Sequence, residues 1–101
     1  MIKVIIKKEK DIITEMKISG HANYEDIGKD IVCAGVSASL ITTVNACLLF
    51  DKNSIYYEES NNFYLKNNKK DEVTNKLLEN LERILKDIES DYKKNIKVKE
   101  E

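Results

Sequence analysis

Apolar and polar positions alternate early in the chain in a way that favours β-structure. Ile2 to Lys8 is rich in β-branched residues, and Ile12 to Ile18 is a second such run. The polar residues Glu9, Lys10 and Asp11 separate the two runs, so the pattern predicts a β-hairpin. Ser19 to Lys29 is polar and contains two glycines, which indicates a loop.

A long apolar segment follows this loop. Ile31 to about Asp51 is apolar nearly all the way round at helical spacing, which predicts a helix that is buried on most sides. A chain of 101 residues has little other structure with which to cover such a helix. The segment therefore predicts a helix that packs in the core on one side and forms the subunit interface of a homodimer on another.

The second half of the chain repeats the order of the first half. Ile55 to Glu59 and Phe63 to Lys66 predict a second hairpin, and Ile96 and Val98 alternate with lysines as in a last short strand. Between them, Asp71 to about Lys94 predicts an amphipathic helix. Its expected apolar face consists of Val73, Leu77, Leu81, Ile84, Ile88 and Tyr92. The predicted order is ββαββα(β), an α+β fold in one domain spanning residues 1–101.

Composition narrows the class of protein. The chain has 17 basic and 18 acidic residues and a net charge of −1, so we expect no direct nucleic-acid binding through a broad basic face. The apolar middle segment is interrupted by serine, threonine and asparagine, which argues against a membrane span. The N-terminus lacks the apolar core of a signal peptide, and we expect a cytoplasmic protein.

The two cysteines, Cys33 and Cys47, lie fourteen residues apart on the predicted long helix. At 1.5 Å per residue this is roughly 21 Å, too far for a disulfide bond. Two free thiols suit a reducing compartment. One histidine and two separated cysteines are also too few for a zinc site, so we expect no metal.

Cys33 and His21, the single histidine, are the candidate reactive pair. Cys33 is predicted in the first turn of the long helix, where the positive helix end favours a thiolate. His21 lies in the preceding loop, where an imidazole can accept the thiol proton. The alternative roles are a structural cysteine of an apolar helix for Cys33 and a solvent-facing or packing residue for His21.

Three nearby residues are candidates for positioning or binding. Asp30 precedes the apolar run as a helix N-cap would, or it orients the imidazole. Ser37 lies one turn beyond Cys33 on the same face, either as a small residue at a helix contact or as a substrate contact. Gly20 permits an unusual backbone angle that would aim His21.

The segments Gly20-His21-Ala22 and Gly28-Lys29-Asp30-Ile31-Val32-Cys33-Ala34 together resemble the ribosomal-processing cysteine protease family. The resemblance implies that Cys33 is the nucleophile, His21 the general base and Ser37 a substrate contact, and it implies no cofactor. It also implies a homodimer whose substrate is the precursor of a large-subunit ribosomal protein, number twenty-seven, from which it removes an N-terminal extension. Gly35 departs from the family pattern, in which alanine is common, and so does Asn23, in place of glycine.

Two alternatives to a protease remain compatible with the residues. A non-catalytic ribosome-assembly factor would bind a ribosomal protein without shortening it. A thiol redox sensor would use Cys33 and would have no need of His21.

Overall fold

A five-stranded mixed sheet carries two helices on one face. We describe residues 1–20 and 29–101 of a computed structural model. The elements are β1 (Ile2–Glu9), β2 (Ile12–Ser19), α1 (Lys29–Phe50), β3 (Ile55–Glu59), β4 (Phe63–Asn67), α2 (Glu72–Asp91) and β5 (Ile96–Glu100). The strand order is β3-β4-β2-β1-β5, and all neighbouring pairs are antiparallel except β1 and β5. The predicted α+β fold and element order are confirmed.

The first hairpin turns through two residues. Lys10 and Asp11 have φ angles of 49° and 67°, so both occupy the left-handed region that a tight hairpin turn with right-handed strand twist requires. A β-bulge follows, because the pairing shifts from Lys7 opposite Glu15 to Lys8 opposite Ile13. Lys8 alternates with the buried Ile6 in β1 and so lies on the helix side of the sheet, where it forms an ion pair with Glu82 of α2 at 3.1 Å.

Two asparagine side chains complete the backbone hydrogen bonding of Ile13, next to this bulge. The amide of Asn67, fully buried, donates to the Ile13 carbonyl at 2.9 Å. The Ile13 N–H donates to the side-chain carbonyl of Asn75 at 2.9 Å. Asn67 also accepts from the Lys70 N–H at 2.8 Å, so one side chain joins β2 to the turn before α2. Buried backbone groups need such partners wherever a sheet ladder stops.

Helix α1 packs through one stripe rather than on all sides. Its buried apolar residues are Val32, Val36, Leu40, Val44 and Cys47. Elsewhere on the helix, Ile31, Ile41, Leu49 and Phe50 are between 57% and 86% exposed. The single chain thus covers only the face of α1 that meets the sheet and α2, as expected for so short a chain with so apolar a helix. By length and mean hydropathy, 1.8, the segment Ile31–Phe50 would also suit a membrane span, but its regular stripe belongs to the common core.

Helix α2 begins at an Asp71 N-cap, whose carboxylate accepts from the Thr74 N–H at 2.9 Å. The predicted amphipathic helix is confirmed, but its buried face is rotated. Leu78, Leu81 and Leu85 are fully buried, whereas the predicted Val73 is 43% exposed. Leu77, Ile88 and Tyr92 lie at the edge of the core. Adjacent apolar pairs such as Leu77-Leu78 fit two helical stripes equally well, and packing against the sheet selects one of them.

The role of Asn67 gives a stability prediction. Asn67→Ala leaves the Ile13 carbonyl buried without its donor, so we expect a loss of about 2 kcal/mol in the free energy of unfolding. Asn68→Ala, at the exposed neighbouring position, is the control and should change it by less than about 0.5 kcal/mol. Urea unfolding measures both. Equal effects of the two substitutions would contradict the structural role assigned to the Asn67 amide.

Candidate active site

Cys33 lies close to the start of α1 with its side chain half-buried. The helix begins at Lys29, so Cys33 is the fifth helical residue and not part of the first turn as predicted. Asp30 is likewise inside the helix, and its predicted position as the N-cap is wrong. The apolar run used to place the helix start begins two residues after the backbone becomes helical, because polar residues also occupy a first turn. Cys33 touches the core on one side and remains partly accessible on the other.

The second thiol has a different environment. Cys47 is fully buried in the α1 stripe, and burial raises its pKa to about 11. A thiol with that pKa is protonated at neutral pH, and no substrate reaches it. The structural role predicted for Cys47 is consistent with this environment. Of the two cysteines, only Cys33 offers an accessible sulfur.

Ser37 lies one helical turn beyond Cys33, about 6 Å further along the axis, and is exposed. It lines a groove of about 150 Å³ between α1 and the β3–β4 hairpin. Leu40, Val44 and Phe63 supply buried apolar atoms to this groove. The remaining lining residues are Ile41, Asn45, Tyr57 and Glu59. The reading of Ser37 as a residue facing a binding site rather than a helix contact is favoured by this placement.

The hairpin wall of the groove contains residues that the sequence analysis did not select. Tyr57 stacks on Phe63 with ring centroids 6.5 Å apart and an interplanar angle of 27°. The two residues lie on neighbouring antiparallel strands, and both belong to the helix side of the sheet. Alternation within β3 and β4 would have placed them on one face. Only the packing of the hairpin beside α1 turns that face into a groove.

Gly20 ends β2 in a conformation that requires glycine. Its φ is 93°, in the region that other residues rarely adopt, and a Cβ atom would overlap the carbonyl oxygen of Met1. The predicted unusual backbone angle at Gly20 is confirmed. This close crossing of the N-terminal backbone fixes the point from which the chain leaves the sheet toward His21.

The remaining candidates cannot be placed around Cys33. His21 and the greater part of the predicted 19–29 loop lie outside the described residues, and so does the side chain of Asp30. The structure thus brings together Cys33, Ser37 and the groove. It adds the backbone crossing at Gly20, directly before His21. The roles of His21 and Asp30 stay predictions.

Comparison with known proteins adds a family to this geometry. The sequence profile of the family described as cysteine protease Prp matches residues 1–97. The ribosomal processing cysteine protease Prp of Bacillus subtilis (strain 168) is 34% identical in an alignment of 110 positions, gaps included. The alignment covers 97% of this chain and 96% of that protein.

Two solved structures share the fold over the whole length of both chains. Both are crystal structures of an essential ribosomal processing protease Prp from Staphylococcus aureus. The one in complex with a substrate peptide has a TM-score of 0.91 and 26% identity, covering 100% of each chain. The one in complex with a covalently linked product peptide has a TM-score of 0.89 and 27% identity, with the same coverage.

The two described glycines that flank the site should respond in opposite ways to alanine. Gly20→Ala forces a positive φ on alanine and a clash with backbone, so we expect a loss of at least about 2 kcal/mol of stability. Gly35→Ala is the matched control, because a Cβ there meets only the Ile88 Cδ1 atom at 3.5 Å, an ordinary contact. It should raise stability by about 1 kcal/mol, the helix propensity difference. Thermal unfolding distinguishes the two, and a neutral Gly20→Ala would contradict the tight crossing.

Proposed function

This chain belongs to the Prp family of cysteine proteases, and we propose that it removes the N-terminal extension of a large-subunit ribosomal protein, number twenty-seven, during ribosome maturation. The observation that carries the proposal is Cys33, an accessible thiol near the start of α1 that lies one helical turn from Ser37 and the groove that Ser37 lines. The Prp relatives named as ribosomal processing proteases supply the substrate class. Two finer points rest on the resemblance of the motif to the family: that the enzyme removes an N-terminal extension, and that the substrate is ribosomal protein number twenty-seven.

In the proposed mechanism His21 takes the proton from the Cys33 Sγ atom, and the thiolate attacks the scissile carbonyl carbon. The tetrahedral intermediate collapses to a thioester as His21 returns the proton to the leaving amine. Water, deprotonated by His21, then attacks the thioester carbonyl and releases the acid product and the free thiol. A covalently linked product peptide in the related Staphylococcus aureus enzyme supports a covalent route. No cofactor is needed at any step.

The start of α1 also offers donors for the developing oxyanion. In a helix that begins at Lys29, the N–H groups of residues 29–32 have no carbonyl four residues earlier within the helix. They precede Cys33 directly. Donors of this kind, fixed before the reaction, stabilise a tetrahedral oxyanion. We assign the oxyanion to this turn and not to the N–H of Cys33, which already has a helical acceptor.

The groove beyond Ser37 suits one apolar side chain of an extended peptide. Its apolar lining would cover such a side chain, and Glu59 at its edge would attract a basic residue nearby. Ribosomal proteins, which bind RNA, are rich in lysine and arginine. In this proposal Ser37 contacts the substrate, Gly20 and Asp30 orient the catalytic groups, and the reaction takes place in the cytoplasm.

The exposed apolar residues of α1 support a homodimer. Leu49 is 86% exposed and Phe50 71%, so the last turn of α1 leaves two large apolar side chains uncovered by the chain itself. Large apolar side chains exposed at neighbouring positions are a feature of interaction sites. Isologous pairing of α1 with its copy would cover them.

Substitution of the cysteines tests the assignment of the nucleophile. Cys33→Ala should lower the rate of precursor cleavage by about 10³-fold or more, because the attacking atom is absent. His21→Ala should have a similar effect. Cys47→Ala is the control and should keep full activity while losing about 1 kcal/mol of stability to a small cavity. Mass spectrometry of the precursor ribosomal protein after incubation gives the product mass.

The same experiment decides between the protease and its alternatives. A non-catalytic assembly factor would leave the precursor at its original mass while binding it. A redox sensor would lose its peroxide response in Cys33→Ala but not in His21→Ala. An active Cys33→Ala enzyme together with an inactive Cys47→Ala enzyme would overturn the assignment of the catalytic thiol.

The dimer has its own test. Light scattering of the unmodified chain should give twice the monomer mass of 11.7 kDa at micromolar concentration. Leu49→Glu should shift the protein to the monomer, because a charge would be buried in the interface. Val73→Glu, the same change at an exposed apolar position of α2, should leave the mass unchanged. A monomeric unmodified chain would refute the dimer.

A further inference from the structure

The face of the sheet opposite the helices is rich in lysine. Side chains that alternate with the buried core positions put six lysines on this open face: Lys3, Lys7, Lys17, Lys66, Lys97 and Lys99. Strand register places Lys3 directly beside Lys97, with Lys17 and Lys99 flanking Ile5. Three glutamates, Glu9, Glu15 and Glu58, share the face.

Most of this positive charge is not neutralised. Lys7 forms an ion pair with Glu15 at 3.6 Å, but the other five lysines have no ion-pair partner among the residues that the structure describes. Helix α2, on the opposite face, carries six acidic and three basic side chains. The net charge of −1 therefore hides a separation of charge between the two sides of the molecule.

Tyrosine rings alternate with the lysines on the β3–β4 side of the open face. Tyr64 lies opposite Lys17 on the neighbouring strand, and Tyr56 lies opposite Lys66. The two rings meet edge to face with centroids 6.5 Å apart, and Tyr56 is 46% exposed. Each cross-strand pair thus offers a flat ring and a cation within about 5 Å of each other at Cβ.

A cleft of about 370 Å³ lies at the other end of this face, over the β1–β5 pair. Lys3, Lys97 and Lys99 are among its lining residues, together with Ile5. The open face therefore presents a cationic cleft at one edge of the sheet and a tyrosine–lysine surface at the other. Both lie on the opposite side of the sheet from α1, so neither competes with Cys33 or with the exposed residues of α1.

We propose that the open sheet face binds single-stranded RNA, with the lysines on phosphates and Tyr56 and Tyr64 under bases. Stacking platforms combined with a positive surface are what sequence-tolerant binding of single strands requires. An acidic peptide would use the lysines but not the rings. An anionic membrane surface would also attract the lysines but would not need two rings in register with them. This departs from the expectation based on net charge, because net charge does not report where the charges lie.

Fluorescence anisotropy with a labelled oligouridylate of about 12 nucleotides tests the proposal. Binding is measured from about 50 to about 200 mM salt, where each phosphate contact contributes about 0.7 to the slope of log affinity against log salt. The double variant Lys97→Gln/Lys99→Gln should reduce the slope by about 1.4. Lys52→Gln/Lys76→Gln removes the same charge from other surfaces and should leave it unchanged. Tyr56→Leu should weaken binding about fivefold or more through lost stacking.

Labelled poly-glutamate with the same number of charges is the second probe. Weaker binding of poly-glutamate, unaffected by Tyr56→Leu, supports an RNA surface. Equal binding of both probes, both unaffected by Tyr56→Leu, would show a general polyanion or acidic-protein surface and overturn the proposal. Absence of RNA binding at the lowest salt, or equal losses in the two lysine pairs, would also overturn it. Precursor cleavage by Lys97→Gln/Lys99→Gln should be unchanged, so the outcome is independent of the proposed protease substrate.

Discussion

The buried stripe of α1 is the contact on which the site depends. Val32, Val36, Leu40, Val44 and Cys47 follow one side of the helix and enter the same core as the sheet and α2. Because these residues fix the rotation of the helix about its axis, they also fix what the other sides present. Cys33 comes directly after a buried valine and Ser37 directly after another, so both lie at the border between core and solvent. A small rotation of α1 would bury the thiol completely or turn Ser37 away from the groove.

The sheet supplies two further constraints on the same region. At one end of β2 the chain crosses the Met1 backbone at Gly20, where no side chain fits. Near the other end, the bulge interrupts the ladder, and Asn67 and Asn75 satisfy Ile13 instead. Asn67 closes β4, so this polar contact also holds the β3–β4 hairpin against β2. The hairpin then forms the wall of the groove opposite Ser37.

The two faces of the sheet carry different tasks in this arrangement. The helix side contains the core, the Cys33 thiol and the groove, and it requires apolar residues at most alternate strand positions. The positions in between are free of that requirement, and lysine and tyrosine occupy most of them. The position of the charges, and not their sum, gives the open face its positive character.

Local sequence determined the elements and their order. Runs of β-branched residues and a clear polar face in α2 specify strands and helix without tertiary information, and the element order follows from them. The motif around His21 and Cys33 likewise indicated the protease family, because the residues on either side of both match the family's pattern, whereas a histidine and a cysteine alone would not have been specific. The need for glycine at position 20 was visible as a possibility and is explained by its positive φ.

Tertiary structure alone decided which faces are buried. The paired apolar residues Leu77-Leu78 and Ile84-Leu85 allow two stripes, and only contact with the sheet selects Leu78 and Leu85. Because α1 is apolar on several sides, its sequence does not show which side faces the core. Packing decides the rotation of the helix about its axis and therefore the exposure of Cys33 and Leu49. The groove joins residues of α1 to Tyr57 and Phe63, which are distant in sequence. Periodicity records neighbours along one element, whereas a site between elements exists only once they have packed.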